Sequence, residues 1–429
     1  MERQPRSWWQ RHNRLLITVT AAMIVLLVVF ALAAYWFGWG WTGFNGGYSQ
    51  VTITSTSHGT TTATVKPAGK TLWDWMQLLI IPVVLAIGGL WFNQVQKDRE
   101  QRAAEQRAET EHEIALDNQR EAALQSYLDK MSELLLHECL RESKPEDEVR
   151  KIARARTMTV LPRLDAQRKS SVLQFLHESN LIDIGKSIID LSGADLREAD
   201  LREADLHEAD LSKADFRRAN LSHAFLSGAD LREADLREAI LWQANLHSAD
   251  LHKAFLGGAK LGGATLSGAD LSKATLEDAI LEGAFLREAK LEEAFLYKAT
   301  LEGAILEGAY LRSADLSDAN LSRARLEGAE LFSVGLGYAT LERANLSRAN
   351  LSFAHLQGAN LRGANLSGAN LSEADLSEVV GLASHQGVAD LEEADLSEAN
   401  LKGANVTPEQ WRKAKTLQGA IMPDGSKHL

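Results

Sequence analysis

Residues 189–378 carry an apolar pattern that fits neither a helix nor a flat strand. A large apolar residue, here called the anchor, recurs every fifth position, in units such as Ala-Asp-Leu-Arg-Glu and Ala-Asn-Leu-Ser-Gly. Positions 191–376 hold 38 anchors, of which 37 are Leu and one is Phe216. Ala stands two positions ahead of 36 of them, Ile189 and Val334 being the departures. A helix at 3.6 residues per turn would spread such anchors around its whole surface. A flat sheet, with its period of two, would send alternate anchors to opposite faces. A coil with short flat sides satisfies the pattern: each unit makes one side and one corner, and every anchor points to the axis. Leu191, Leu196, Phe216, Leu286, Leu306 and Leu376 are core residues in this register. The Ala two before each anchor shares its strand parity and faces inward, while the Asp or Asn between them faces out. Gly and Asn suit corners that need positive φ.

These repeats resemble the pentapeptide-repeat family, and in particular its membrane-anchored bacterial members. The resemblance implies an all-β, right-handed quadrilateral β-helix, a solenoid in which four units make one square turn of 20 residues. At ~4.8 Å between stacked strands, the 38 units make a rod of roughly 45 Å.

The flanks read differently. Residues 15–37 are apolar apart from two Thr and end in Trp36, Phe37, Trp39 and Trp41, which reads as a transmembrane helix with an interfacial belt. A cleaved signal peptide, with Ala31-Leu32-Ala33 as its site, is the rival reading. Residues 72–92 form a second span with Pro82 inside. Arg3, Arg6, Arg11 and Arg14 precede the first span, and Lys97, Arg99, Arg102 and Arg107 follow the second. The intervening loop, 38–71, has only Lys66 and Lys70 and is extracytoplasmic, with room for a small hairpin in 42–71. A two-span hairpin in a bacterial inner membrane, with both termini and the repeat in the cytoplasm, is therefore expected.

Residues 93–143 read as a long juxtamembrane helix. Its apolar stripe Leu124, Leu128, Met131 and Leu135 serves either a coiled-coil dimer or packing against the helices that follow. Residues 144–188 are a helical linker and N-terminal cap, with Pro145 and Asp165 at helix starts. Seven basic residues against the single acid Asp165 in 149–171 suit anionic lipid, nucleic acid, a solvated face or the acidic first coils. The repeat domain spans 189–406. Residues 379–388 break the motif, as two degenerate units or as a loop. In 407–429, Thr407-Pro408-Glu409-Gln410-Trp411 predicts a short closing helix.

The net charge of −12 is concentrated: residues 189–406 hold 36 acidic and 20 basic residues, −16, and the rest is mildly basic. Some soluble members of the resembled family mimic duplex DNA and bind DNA gyrase. Here the charge is diluted by interleaved Arg and Lys, so that reading is the runner-up and nucleic acid is not expected as a partner. The single Cys139 excludes an intramolecular disulfide and fits a reducing compartment. His137-Glu138-Cys139 would point in different directions on a helix and makes no metal site. The Asp ladder 190, 210, 230, 250 and 270 lacks the converging ligands of a calcium loop. No catalytic residues, metal, cofactor or small-molecule substrate are expected.

One departure is informative. Between 225 and 310 the outward position turns apolar at Phe225, Ile240, Phe255, Ile280, Phe285, Phe295, Ile305 and Tyr310. Exposed apolar ladders mark interaction surfaces or merely stabilise the stack. Phe255, Phe285, Phe295, Ile305 and Tyr310 are the candidate contacts for a protein partner or a second copy. The expectation is a non-enzymatic, membrane-anchored interaction scaffold, with sensing or regulating a partner as a further alternative.

Overall fold

The computed structural model describes residues 51–54, 62–65, 72–182, 188–377 and 389–428, with the single positions 29, 32, 33 and 36. The chain forms two compact units, residues 1–113 and 114–429. In the first, β1 (Val51–Thr54) pairs antiparallel with β2 (Thr62–Val65), Val51 opposite Val65. These β-branched residues suit a small two-stranded ribbon. Helix α1 (Leu72–His137) begins in this unit and contains Pro82. The first expected membrane span falls, apart from the four single positions, outside the described residues, and the second is described with side chains only from Pro82. Among the described residues no helix is long and apolar enough to cross a membrane.

The second unit opens with the end of α1, followed by α2 (Glu148–Val160) and α3 (Ala166–Glu178). Asp165 caps α3 by accepting from the Arg168 N–H. The apolar stripe of α1 is covered within the chain: Leu124, Tyr127 and Met131 are buried in one cluster with Val160, Leu161, Val172 and Leu176. The Tyr127 hydroxyl lies 2.9 Å from that of Thr157, and its ring meets Phe175 edge-on at 6.4 Å. Packing, not a coiled coil, accounts for that stripe. Beyond α1, Cys139 takes a left-handed conformation (φ 47°) that ends the helix.

From Asp195 to His355 every outward residue pairs in parallel with the one 20 positions on. Four units therefore close one turn. Each side of the coil is a single bridge residue rather than an extended strand, because a turn interrupts the chain once in every five residues. The anchors Leu191, Leu196, Phe216, Leu286, Leu306 and Leu376 are all at most 1% exposed, as are the Ala residues around Leu286.

The unit is defined by where its five N–H groups go, and Asp215–Ala219 shows the scheme. Asp215 donates back to Ala194 O (2.9 Å), and Phe216 donates forward to Asp235 O (2.7 Å). Arg218 donates forward to Arg237 O (3.1 Å), and Ala219 closes the corner onto Phe216 O (2.9 Å). The fifth donor, Arg217 N–H, goes to the Asp215 side chain (3.2 Å). So the outward Asp or Asn is a backbone partner at every corner it precedes, and more than a polar cover. The same bond recurs at Asn220, Asp270, Asn345 and Asn370.

The second residue after each anchor has positive φ. Gly and Asn bear positive φ most easily, yet only 13 of the 40 described corners are Gly and 27 carry other residues, chiefly Glu, Lys, Arg and Ser. A left-handed non-Gly residue costs roughly 1–2 kcal/mol. The corner and inter-coil hydrogen bonds hold it there.

Residues 379–388 supply no described side: Asn360 pairs with Asp390 and Asp375 with Asn405, 30 positions apart, and Ala389 N–H donates to Leu376 O. Whether they form two degenerate units or a loop lies outside the described residues. At the far end α4 (Pro408–Trp411) is capped by Thr407 and Gln410 reciprocally. The Gln410 amide, 3% exposed, donates to Leu376 O (2.8 Å) and Ala389 O (3.2 Å). The closure extends beyond the predicted helix, because Thr416 and Ile421 pair with Asp395 and Asn400 as a further irregular turn.

Leu286→Asp places a carboxylate in this closed interior and should cost more than about 3 kcal/mol. Ser367→Asp, one position after an anchor and outside the core, should change stability by less than about 0.5 kcal/mol. Urea denaturation of the two variants checks the register; equal losses would show it to be wrong.

Candidate interaction surfaces

Because bridges link positions 20 apart, the outward residues fall into four columns. Counting sides from Asp195, the first carries Asp195, Asp215, Asp235, Phe255, Thr275 and Phe295. The third carries Phe225, Thr265, Phe285 and Ile305, with Asn245 between. Ile240 and Ile280 stand on the second side, and Tyr310 on the fourth. The structure thus brings Phe285 and Ile305 together as bridge partners and puts Phe255 and Phe295 two coils apart, separated by Thr275. The five candidates do not form one surface: they divide between two opposite sides and a third. Phe285 is 42% exposed and Phe295 54%; Ile305 is half-buried. Each such residue lacks the side-chain oxygen that Asp or Asn offers the following N–H.

The first coils carry charge, and there the carboxylates are engaged. On the first side Arg197, Arg217 and Arg237 each pair with the aspartate two positions earlier. Arg197 also approaches Asp215 (3.7 Å) and Arg217 approaches Asp235 (3.5 Å) in the next coil. The result is an alternating Asp–Arg zipper. Arg232 does the same on the fourth side with Asp230 and, at 3.7 Å, Asp250, while Asp270 meets Lys290. Toward the far end the ladders become neutral: Asn400 donates to Asn370 and Asn370 to Asn350, each at 3.2 Å.

Sequence reasoning confined to the outward position missed the corners. Phe332 and Phe353 follow their anchors by one and two positions, and their rings approach to 5.4 Å. The Arg312 guanidinium lies 5.2 Å from the Phe332 ring. Tyr310, Arg312, Glu330 and Phe332 line one shallow groove. Trp242, another corner residue, lies over Gly262, where a Cβ would meet the indole at 2.9 Å. Writing the sequence in rows of 20 would have put Arg312 above Phe332. Among the described residues no group of three or more His, Cys, Asp or Glu could hold a metal ion.

The family description "Pentapeptide repeats" matches residues 189–228, 229–268, 269–308, 309–348, 344–380 and 389–407, in 8 copies. The chain belongs to the pentapeptide-repeat family. Among solved structures it is similar to HetL, a pentapeptide repeat protein involved in heterocyst differentiation regulation from the cyanobacterium Nostoc sp. strain PCC 7120. The two are 39% identical, over 55% of this chain and 92% of HetL, with a TM-score of 0.34. It is also similar to QnrB1, a plasmid-mediated fluoroquinolone resistance protein, at 20% identity over 43% of this chain and 80% of that one, with a TM-score of 0.23. A pentapeptide repeat protein of the Arabidopsis thaliana thylakoid lumen is 34% identical over 25% of this chain and 68% of its own, with a TM-score of 0.13. No curated protein matches.

The pentapeptide-repeat coil meets its helical cap through the basic residues of 149–171. Arg154 pairs with Asp190 and donates to the carbonyls of Asp190 (3.1 Å) and Ser192 (2.9 Å). Lys169, 4% exposed, donates to Asp195 Oδ1 (3.0 Å) and Arg197 O (2.9 Å). Arg168 instead binds Asp117, Glu121 and Asp165 within the cap. Most of this basic segment is therefore committed to protein contacts, with Arg154 and Lys169 docked on the acidic first coil. The Arg197 guanidinium, with Lys169 beside it, holds the Asp195 carboxyl well below the usual carboxylate range against the opposing effect of burial.

The sign of the pH effect follows. A carboxyl depressed in the folded state stabilises it above its unfolded pKa of about 3.9, and this contribution is lost as pH falls below that value. Asp195→Asn should therefore weaken the cap at pH 7 and remove this part of the acid sensitivity below about pH 4. Lys169→Met leaves Asp195 only Arg197 as partner and should cost about 2–3 kcal/mol at pH 7. Chemical denaturation of both variants at pH 7 and pH 3 checks the pair; unchanged acid sensitivity in Asp195→Asn would place its source elsewhere.

Proposed function

We propose that this pentapeptide-repeat protein is a non-enzymatic scaffold whose rod holds protein partners through the apolar columns of its sides. The observation that carries the reading is exposed Phe285 with half-buried Ile305 beside it on one side, and exposed Phe255 and Phe295 on the opposite one. At these positions the prevailing Asp or Asn would supply a corner hydrogen bond of about 0.5–1.5 kcal/mol, and the chain forgoes it. Removing the exposed rings from water on association would contribute about 25 cal/mol per Å². The DNA-mimic reading, with gyrase as target, is not favoured, because the aspartates of the first coils are neutralised in a zipper rather than presented as a free anionic array.

The same proposal places the rod, with the right-handed twist expected of the family, on the cytoplasmic face of a bacterial inner membrane. The support is in the sequence: the two apolar stretches 15–37 and 72–92 and the arginines that flank them.

Two experiments test these parts separately. Phe285→Asn with Ile305→Asn restores the prevailing unit, so the rod should fold with unchanged circular dichroism and lose its co-purifying protein partner. A double variant that keeps every partner would make the column structural. For topology, Ser55→Cys and Ser372→Cys in a chain lacking Cys139 are treated on intact cells with an impermeant thiol reagent. Labelling of Ser55→Cys alone is expected, and labelling of Ser372→Cys would reverse the assignment.

A further inference from the structure

The third side of the rod differs from the others at its edges. Eight left-handed corners border it between positions 263 and 328, and six of them are Gly, against seven Gly among the other 32 described corners. Gly283 and Gly303 stand two positions ahead of Phe285 and Ile305, and a Cβ built at either would meet nothing within 4 Å. Their φ of 62° and 65° is carried at other corners by Glu, Lys, Arg and Ser. Neither packing nor the path of the backbone therefore calls for Gly here. The bare corners leave Phe285 and Ile305 without a wall along that edge.

The same edges carry an excess of carboxylate. Glu282 and Glu302 lie on one, and Glu288, Glu307 and Glu327 on the other. The cations among them, Arg287, Arg323 and Arg325, are each engaged by Glu307 or Glu302. Glu282, Glu288 and Glu327 are exposed and enter no ion pair among the described residues. In the first coils, by contrast, Asp195, Asp215 and Asp235 are each matched by an arginine of their own unit.

We propose that this side receives a basic amphipathic helix of a partner protein, laid along the axis of the rod. The proposal rests on the scaffold reading and adds the chemistry of the partner. Spacing selects a helix: Phe285 and Ile305 stand one coil apart, ~4.8 Å. Residues three and four apart on a helix repeat at ~5–6 Å, whereas one face of an extended strand repeats at ~6.6 Å. The apolar stripe of the helix covers Phe285 and Ile305 across the bare corners, and Lys or Arg on its flanks meet the unpaired glutamates of both edges. A second copy does not fit. Two rods anchored in one membrane run parallel, and an isologous contact would then lay the Glu282 edge of each on the Glu288 edge of the other. An anionic lipid surface would meet the same carboxylates.

The test uses the full-length chain in phosphatidylcholine nanodiscs and a fluorescent leucine–lysine amphipathic peptide, with binding to empty discs subtracted. The chain should bind this peptide about tenfold or more tightly than a leucine–glutamate peptide of the same apolar pattern. Glu282→Lys with Glu302→Lys should weaken binding about tenfold. Asp318→Lys with Glu373→Lys, the same change of charge at corners that do not border this side, should leave it in place. The sharpest variant is Gly283→Glu with Gly303→Glu, which installs a residue common at other corners and adds negative charge. A docked helix loses its seat there, so binding should weaken. Unchanged or tighter binding would mean attraction to charge alone and overturn the proposal. Equal affinity for the two peptides overturns it, as does a loss in Asp318→Lys with Glu373→Lys equal to that in the Glu282 and Glu302 pair. So do dimers that Phe285→Asn with Ile305→Asn dissolves while the peptide fails to bind. Each of these failures leaves an uncharged partner for the apolar column, so the scaffold reading still stands or falls on co-purification with Phe285→Asn and Ile305→Asn.

Discussion

The architecture depends on hydrogen bonds that run between coils and have a direction. On every side the anchor N–H and the N–H two positions later donate forward, toward the C-terminal end, while the outward residue donates backward. Each coil thus shows its predecessor two carbonyls for every N–H, and its successor the reverse. The stack has an acceptor-rich first end and a donor-rich last end, and buried backbone groups cannot be left unpaired at either. The caps follow from this asymmetry. At the first end the unused carbonyls of Asp190, Ser192 and Arg197 receive cationic side chains, Arg154 and Lys169. At the last end the unused N–H groups of Leu396, Glu398, Leu401 and Gly403 find backbone carbonyls of the trailing chain, at Thr416, Gln418, Ile421 and Pro423. The basic run in 149–171, ambiguous as a string of charges, acquires a reason once the end it covers is known to be rich in acceptors.

How much of this was legible follows from which interactions are periodic. The anchors and their Ala partners repeat every five residues because the interior has one shape throughout, and a period alone was enough to place them. The short capped helix after Thr407 was legible because its signature is local. The hydrogen bond from the outward Asp or Asn to the next corner was not, because the residue type also suits plain exposure. That Glu, Lys and Arg at the corners take the left-handed conformation was not legible, since its cost is local and its compensation comes from the neighbouring coils. The side on which an aromatic residue stands requires a second period, of 20. A list of apolar outward residues joined Phe255 to Phe285, whereas two side-steps separate them onto opposite sides. Phe332 and Phe353 escaped because they are corner residues and never entered the outward list.

Charge shows the same limit. A sum of −16 over residues 189–406 describes the coil as acidic, but pairing decides what a partner meets. Arg197, Arg217 and Arg237 each bind the aspartate of their own unit, and the first two also lean on that of the next coil. Exposed pairs of this kind contribute little each to stability. Their larger effect is to fix the orientation of the carboxylates and to remove their field at distance, leaving the first side locally neutral in its charged portion and apolar farther on, at Phe255 and Phe295.

The physical division of labour within the unit explains why such a rod can carry function without a pocket. Four of the five N–H groups bond to backbone carbonyls, and the interior is filled by two residue types, so neither depends on what stands outward. Only the fifth donor depends on the outward residue, and its loss costs little where water can replace the acceptor. An outward column can therefore change from Asp to Phe within two coils without altering the path of the chain. Positions 20 apart stay in register as bridge partners, so adjacent substitutions add into a continuous strip, as Phe285 and Ile305 do. Positions five apart turn a corner instead and address a different direction. A rod of this kind specifies a binding surface by column and its position along the axis by coil, and opposite sides can be written independently.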